Sequence, residues 1–443
     1  MSQNQYEIVP SPYMPIDLLK YNVHVSPEGC WRPMSNNKFP VYPFEFTNWV
    51  NEELSWYDNC YIHAGLNPFL FYTIKGKDVL RMYSDLSIST FNKFPIGKAR
   101  HTVLCNDQGK IQIDGIVVRR SEDEFITMCL PDPNLLNQMS GNQYDFTSED
   151  VSSQNFFFQL CGPRSLEIVE MATKEDLHDI KFMFSRDSSI AGKPVFILRT
   201  GMAGTLGYEV HGNAEDAVAV YTAIMEAGQP YGITELGRHA YRNAHTEGSI
   251  PQIGTHFPST NPPFPVKITG SLDPNSQLVH RSPIDVGWEK MINFNHDFPG
   301  KEALKNELEN HHNSMVTLIW DPDDLVAVMK TVFEKGNRCD IMEMVEDYDY
   351  VAGNNSIHID EVYDGDKLIG AASGRMLSPK TNEMISLCTL DQDYAIENKI
   401  VEVLWGTPGT RQMRIRAKVS LFPYIKEDRN ESFDVENIPH PQF

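Results

Sequence analysis

Residues 200–210 read TGMAGTLGYEV, three glycines at a spacing of three, closed by a single carboxylate, Glu209, between apolar neighbours. Glycine-rich turns often cradle phosphate, but this one carries neither phosphate signature. A dinucleotide turn needs G-x-G-x-x-G between a strand and a helix; here G-x-x-G-x-x-G runs into another short strand, YEVHG. The Gly-Lys-Ser/Thr of a P-loop is absent. Two readings stay open: a tight surface hairpin, or a scaffold that aims Glu209. A carboxylate in an apolar strand costs roughly 2–5 kcal/mol unless it is partnered. A planar ligand edge with two adjacent N–H donors would partner it well.

Asp114, in GKIQIDGIVV, is a second carboxylate among β-branched residues; it is either a turn or bulge residue beside Gly115 or a site group. Tyr241, in GRHAYRNAHTEG, is either a packed aromatic or a phenol that reaches a substrate, and His239 and His245 nearby read as structural. The 14 histidines show no H-E-x-x-H or similar ligand spacing, so no metal site is expected, and His311–His312 reads as solvated surface. Seven cysteines are scattered without a C-x-x-C pair, and an odd count in apolar surroundings predicts buried free thiols.

The elements that must hold these residues alternate in type. FLFYTIKGKDVLRMYSDL (69–86) and FFFQLCGPRSLEIVEMA (156–172) both read as strand, glycine turn, then helix, which hints at two related halves. Between them, 99–130 reads as three strands joined by hairpins. Asn213 is placed to cap a helix over 214–227, with Gly228 as its stop. Residues 255–285 carry six prolines and no helical period, which predicts a long functional loop. After a short helix at 300–310, VTLIW, KLIGAASG, MISLCTL and KIVEVLWG predict an antiparallel C-terminal domain. The acidic tail from Lys426 is expected to wrap the surface or to be mobile.

With 443 residues the chain predicts two or three domains. The formal charge of −22 and the lack of a Lys/Arg cluster argue against nucleic acid as a partner. No run approaches the roughly 20 apolar residues that cross a bilayer. The first residues, MSQNQYEIVPSPYMP, lack a secretory pattern, and the chain reads as cytoplasmic.

GKARHTVLCNDQGKIQIDG resembles the G-x-A-x-Y-x-x-x-x-N-x-x-G-x-I-x-D-D segment of the glycine-cleavage aminomethyltransferase (T-protein) superfamily. TGMAGTLGYEV is similar to its T-G-x-x-G-x-x-G-[FY]-E-[IV]. SPIDVGWEKMINFNHDFPGKEAL and IGAASGRMLSPKTNEMISLCTL resemble its D-F-x-G-x-E-A-L and S-G-x-x-S-P segments, so the matches run from about residue 40 to 422. Within the superfamily, FPVYPFEFTNW, YSDLSISTFNKFP, EAGQPYG, NFNHDFPG and VEVLWG most resemble the tetrahydrofolate-dependent aryl O-demethylases that act on vanillate and syringate.

The resemblance implies an α+β fold of three domains around a central folate channel, with a β-rich C-terminal domain. Two intertwined domains would occupy 1–310, roughly 1–60 with 150–255, and 61–149; the third would be 311–443. It implies transfer of methyl from a methoxylated aromatic compound to N5 of tetrahydrofolate. Glu209 and Gln159 would bind folate, with Gly204 and Tyr208 beside them, and the glycines would fold the backbone against the flat heterocycle. Tyr241 and Asp114 would be catalytic: Tyr241 as donor to the leaving oxygen, Asp114 as a group that biases a folate proton or positions ligands. The substrate pocket would include Phe39, Asn67, Met128, Leu130 and His239.

Departures fall on the aryl side. A-G-L-N-P (64–68) stands where the vanillate enzymes have D-Q-T-H-H; Leu130 replaces an arginine and Phe39 a tyrosine. Ile113 replaces the first aspartate of the family's pair. A methoxyarene differing from vanillate in shape and charge is therefore expected. An aminomethyltransferase, a sulfonium demethylase and a non-enzymatic folate-binding protein are the competing readings.

Overall fold

A computed structural model describes residues 7–17, 20–25, 38–261, 266–345 and 356–443. Three open sheets and a barrel carry the described residues, the smallest sheet pairing Lys38–Glu45 with Glu7–Val9 and Asn22–Val25. The first sheet has six strands in the spatial order Ser185–Ile190, Lys193–Leu198, Gly207–Asn213, Asn155–Cys161, Cys60–His63, Ile233–Glu235, antiparallel except for the last pairing. One face is sealed by helices Ser165–Thr173 and Ala217–Gly228, around Ile62, Phe158, Leu160, Tyr208 and Val210. Residues alternate between faces along a strand, so Tyr61, His63, Phe157, Gln159, Glu209 and His211 point the other way.

The second sheet is an antiparallel set of five in the order Ala99–Cys105, Ile111–Arg119, Glu124–Met128, Phe71–Lys75, Thr147–Asp150. Its outer face packs on Val79, Met82 and Tyr83 of helix Val79–Leu86. Its inner face supplies Phe71, Ala99, Val118 and Met128 to one apolar cluster with Tyr61, Phe157, Leu198 and Tyr241. The free faces of the two sheets thus meet in one shared interior, the chamber, whose apolar side chains form a single cluster.

The C-terminal strands Ser356–Asp364, Lys367–Ser378, Glu383–Asp391, Asn313–Trp320, Met413–Leu421 and Ile400–Trp405 pair in that order, and the last returns to the first, closing a six-stranded barrel. Barrel closure removes exposed edges; a short strand, Lys267–Thr269 from the proline-rich stretch, pairs in parallel with its rim.

The two strand–turn–helix units, the three strands over 99–130 and the helix Lys301–Glu309 form where the sequence places them. Helix Pro322–Thr331 is additional, started by Pro322 and capped by Asp321. Asn213 makes no side-chain cap: a 3-10 turn, Ala214–Asp216, intervenes before the helix begins at Ala217. Gly228 stays helical, and the left-handed Gly232 follows the turn that ends the segment. The tail wraps the protein, with Asn430 and Val435 buried. The six described cysteines are free thiols.

Helix Arg238–Glu247 lies where the bodies meet. It packs against the Trp49–Asp58 helix, the Lys38–Glu45 strand and two barrel strands. Nine of its ten residues are buried, among them Arg238, Tyr241, Asn243, His245 and Glu247. So polar a helix is buried because every side of it is covered, and its side chains must find partners inside.

Candidate active site

The register of the six-stranded sheet sets the site. Leu198 lies opposite Glu209, Glu209 opposite Gln159, and Gln159 opposite His63, one row across four strands on the chamber face. Gln159 Nε2 donates to Glu209 Oε1 at 3.3 Å, and His211 Nε2 meets Glu209 Oε2 at 3.2 Å. A carboxylate only accepts, so His211 carries its proton on Nε2. Burial holds the imidazole's pKa below its usual value and keeps it neutral, although the Glu209 hydrogen bond pulls the other way. Phe196 and Phe157 stack on either side of that ring at 4.3 and 4.9 Å.

Each oxygen of Glu209 therefore holds one neutral donor, while a carboxylate can accept about four. Gln159 spends its amide N–H on Glu209, and its Oε1 is buried with no hydrogen-bond partner among the described residues. An orphan acceptor next to a half-satisfied carboxylate calls for a ligand edge that donates several N–H groups together. The amino and ring N–H groups of a pterin fit that requirement.

Tyr241 stands in the same chamber. Its ring lies parallel to His63 at 4.1 Å and 7°, and the edge of His245 approaches at 5.2 Å. His63 Nδ1 lies 3.0 Å from the Leu236 carbonyl, which it can approach only as a donor. Tyr42 hydroxyl donates to the same carbonyl at 2.7 Å. Burial lowers His245 to about 3 and His256 to about 3, so both stay neutral. His256 links the helix to the barrel through Thr246 Oγ1, which donates to the Gly374 carbonyl.

Several expected pocket and folate residues stand elsewhere. Tyr208 alternates with Glu209 and faces the helix-covered core. Gly204, at φ +68°, lies where a Cβ would fall 2.8 Å from the backbone of Gly248, and Cβ atoms on Gly201 and Gly207 would meet Cys161 Sγ at 2.7 and 2.9 Å. The glycines are thus needed where the turn packs closely against the protein itself.

Asn67 has a committed amide: it accepts from Phe157 N–H at 2.8 Å and donates to the Phe157 carbonyl at 2.7 Å, a clamp between strands. Met128 lines the chamber, but Cys129 at φ +59° breaks the alternation, and Leu130 enters the outer core with Tyr72 and Ile74. His239 stands two residues before Tyr241, about 200° around the helix. It faces Glu45 at 2.7 Å and stacks on Phe44. The strand position of Phe39 is described, but its side chain lies outside the described residues.

Asp114 is on the inner face of the five-stranded sheet, 2.7 Å from His101 Nε2. His63, His101, His211 and His245 are the polar groups that motif reading passed over. Alternation alone could have flagged His211, two residues from Glu209 on the same strand. Among the described residues two clusters of ligand-type side chains, Asp176/His178/His440 and His311/Asp391/Asp393, lie outside the chamber. His178 is already tied, to Glu170 at 2.9 Å and to the Ile438 carbonyl at 3.1 Å.

The chain is similar in sequence and fold to known proteins. The chain is 40% identical over 429 residues to a sesamin methylene transferase of Sinomonas sp. (strain No.22), covering 91% of this chain and 94% of that one. It is 28% identical to a syringate O-demethylase of Sphingobium sp. (strain NBRC 103272 / SYK-6), covering 88% and 91%. Its fold is that of the glycine cleavage system aminomethyltransferase T from Bartonella henselae, at a TM-score of 0.64 and 15% identity over 88% of this chain and 93% of that one. Residues 21–272 match the family model described as the GCVT N-terminal domain, and the chain belongs to that family.

Proposed function

We propose that the protein moves the one-carbon group of an aryl ether onto tetrahydrofolate, with Glu209 and Gln159 holding the pterin and Tyr241 serving the leaving oxygen. The observation that carries this reading is the half-satisfied Glu209 beside the orphaned Gln159 Oε1, in line with His63 and its stacked partner Tyr241. Tetrahydrofolate, when bound, supplies the nucleophilic N5 that accepts the one-carbon unit.

An aryl ether is a poor donor because its leaving group is a phenoxide. A phenol that donates a hydrogen bond or proton to that oxygen contributes typically 10²–10⁴-fold in rate. Phe71, Met128, Phe157 and Leu198 give the chamber an apolar wall that suits an aromatic ring and excludes water. Holding donor and acceptor in line at about 3–3.5 Å supplies the rest.

A methoxyarene giving up methyl is the first reading. The second is a methylenedioxyarene giving up methylene, favoured by the 40% identity to a protein named sesamin methylene transferase. Both donors leave a phenolic oxygen, so both need the same Tyr241 function. Incubation with tetrahydrofolate and matched panels of methoxy- and methylenedioxyarenes, read by mass spectrometry of the folate product, separates them. 5-Methyltetrahydrofolate is expected from the first class and 5,10-methylenetetrahydrofolate from the second. Product from neither class, but from a sulfonium donor or an aminomethyl carrier, would overturn the reading.

A further inference from the structure

The glutamate, glutamine and tyrosine of the chamber are all nearly inaccessible to water, yet the proposed transfer must exchange protons. When an aryl C–O bond breaks and an N–C bond forms, the acceptor nitrogen loses its N–H proton and the aryl oxide gains one. No electrons change hands and the proton count is zero. The two sites are nevertheless different atoms, and a group that gives a proton to the oxygen must regain it. Something in the wall of the chamber has to accept the nitrogen's proton and communicate with solvent.

The five-stranded sheet carries such a group. Phe71 lies opposite Met128, Met128 opposite Ile116, and Ile116 opposite His101, a row of four on the inner face. Phe71 and Met128 belong to the Tyr241 cluster. Neighbouring strands are about 4.8 Å apart, which places His101 roughly 10 Å along the row from Met128. Asp114, two residues before Ile116, shares that face. The side chains of His101 and Asp114 are 29% and 24% exposed, so the row runs from a dry centre to a wetted rim.

At that rim the pair is set up to carry a proton. Asp114 Oδ2 lies 2.7 Å from His101 Nε2, and because the carboxylate accepts, Nε2 holds the hydrogen and the neutral ring has its lone pair on Nδ1. Trp288, from the loop following Gly287, abuts the ring edge-on at 4.8 Å and 84°. Among the described residues, the ring of His101 meets Asp114 from the neighbouring strand and Trp288 from that loop. Arg100 is turned to the opposite face, over Phe91 and Phe94. The buried histidines of the chamber are poor alternatives, since burial holds His211 and His245 in their neutral forms.

We propose that His101 Nδ1 accepts the proton released in one-carbon transfer and passes it to solvent, with Asp114 a positioning residue that acts through His101. This rests on the function proposed above, and shifts to a histidine the proton role expected of Asp114. The chain's residues do the following: Tyr241 gives its proton to the aryl oxygen inside and regains one from solvent as the phenol product leaves, while His101 takes the nitrogen's proton at Nδ1 on the rim and gives it up to solvent, so one turnover leaves both residues as they began.

The test uses the full chain, tetrahydrofolate and whichever aryl ether the wild type turns over. Two quantities are read: kcat against pH and the Kd of tetrahydrofolate by calorimetry. The wild-type kcat should fall on the acid side as one proton blocks Nδ1. His101→Gln should lower kcat about 10²–10³-fold and abolish that limb, with Kd within twofold of wild type. Asp114→Asn, which no longer fixes the hydrogen on Nε2, should lower kcat less than His101→Gln, leave the Kd within twofold of wild type, and add nothing to the loss in the double variant.

Unchanged kcat and limb in His101→Gln, or a raised Kd at unchanged kcat, would overturn the proposal. Losses in Asp114→Asn and His101→Gln that simply add in the double variant would do the same. Wild-type protein that binds tetrahydrofolate but turns over no aryl ether would instead sink the parent function, and this role with it.

Discussion

Glu209 keeps acceptor capacity to spare, which is what the proposed folate role requires of it. Its two neutral donors, Gln159 and His211, leave acceptor capacity on both oxygens, and no net charge opposes its own within that triad. Hydrogen bonds to a charged group are worth about 1.5–3 kcal/mol, so Glu209→Gln should raise the Kd of tetrahydrofolate roughly 10- to 150-fold. Calorimetry on the variant measures this directly, and an unchanged Kd would remove Glu209 from the folate site. Tyr241 makes the complementary prediction. Tyr241→Phe keeps the stack on His63 and loses only the hydroxyl, so kcat should drop about 10²-fold or more while tetrahydrofolate binds as before. Wild-type turnover in Tyr241→Phe would end the donor role. The two variants thus separate folate binding from help to the leaving group.

Strands and turns explain which of these residues the sequence made legible. Glu209 and Gln159 stood out because each sits in a short strand next to a glycine turn, and directly opposed positions bring them together. Met128, expected from the family resemblance, lies on the inner face of its sheet by the same alternation. Leu130 does not, since a single left-handed residue, Cys129, reverses the side that follows, and no residue type announces that. His239 failed for a helical reason: neighbours in sequence are not neighbours on a helix. Asn67 reads as a pocket residue only until its amide is seen to clamp Phe157. The glycine turn shows the same limit, because its spacing says that something comes close without saying what. Here it is Cys161 and Gly248, which gives an element-scale prediction. Gly201→Ala should destabilise the fold by about 1–3 kcal/mol, since overpacking is costly, and removing the obstacle in Gly201→Ala/Cys161→Ala should recover part of that loss. Gly204→Ala should have no such rescue, because its obstacle is backbone and its φ is +68°. Urea unfolding of the four proteins decides it. If the substitutions weakened folate binding but left stability intact, the turn would face the ligand after all.

The molecule as a whole converges on one buried helix, and that convergence has a pH cost. Glu247 at the end of helix Arg238–Glu247 and Glu53 of the Trp49–Asp58 helix are both fully buried. Ser378 of the barrel donates to Glu247, and Trp56 Nε1 reaches Glu53 Oε1 at 3.4 Å. Burial, and then the charge of Glu247, push the Glu53 carboxyl well above the usual carboxylate range; burial raises Glu247 as well. Two such groups cannot both ionise cheaply, so the pair retains a proton that the unfolded chain, with carboxyls near 4.3, releases. The folded state therefore binds more protons than the unfolded state above about pH 4.3, and stability falls as pH rises toward the raised values. Above the histidine range this pair should accordingly hold the barrel to the rest of the protein less firmly as pH rises, while the buried neutral His245 and His256 oppose that trend only in acid. Calorimetric Tm is expected to decline from about pH 7.5 to pH 9 in the wild type, and Glu53→Gln, which needs no proton, should flatten that decline and leave the variant the more stable of the two at pH 9. An identical slope in Glu53→Gln would show that the pair does not hold the proton, and that the alkaline loss comes from other raised carboxyls such as Glu52 and Glu235.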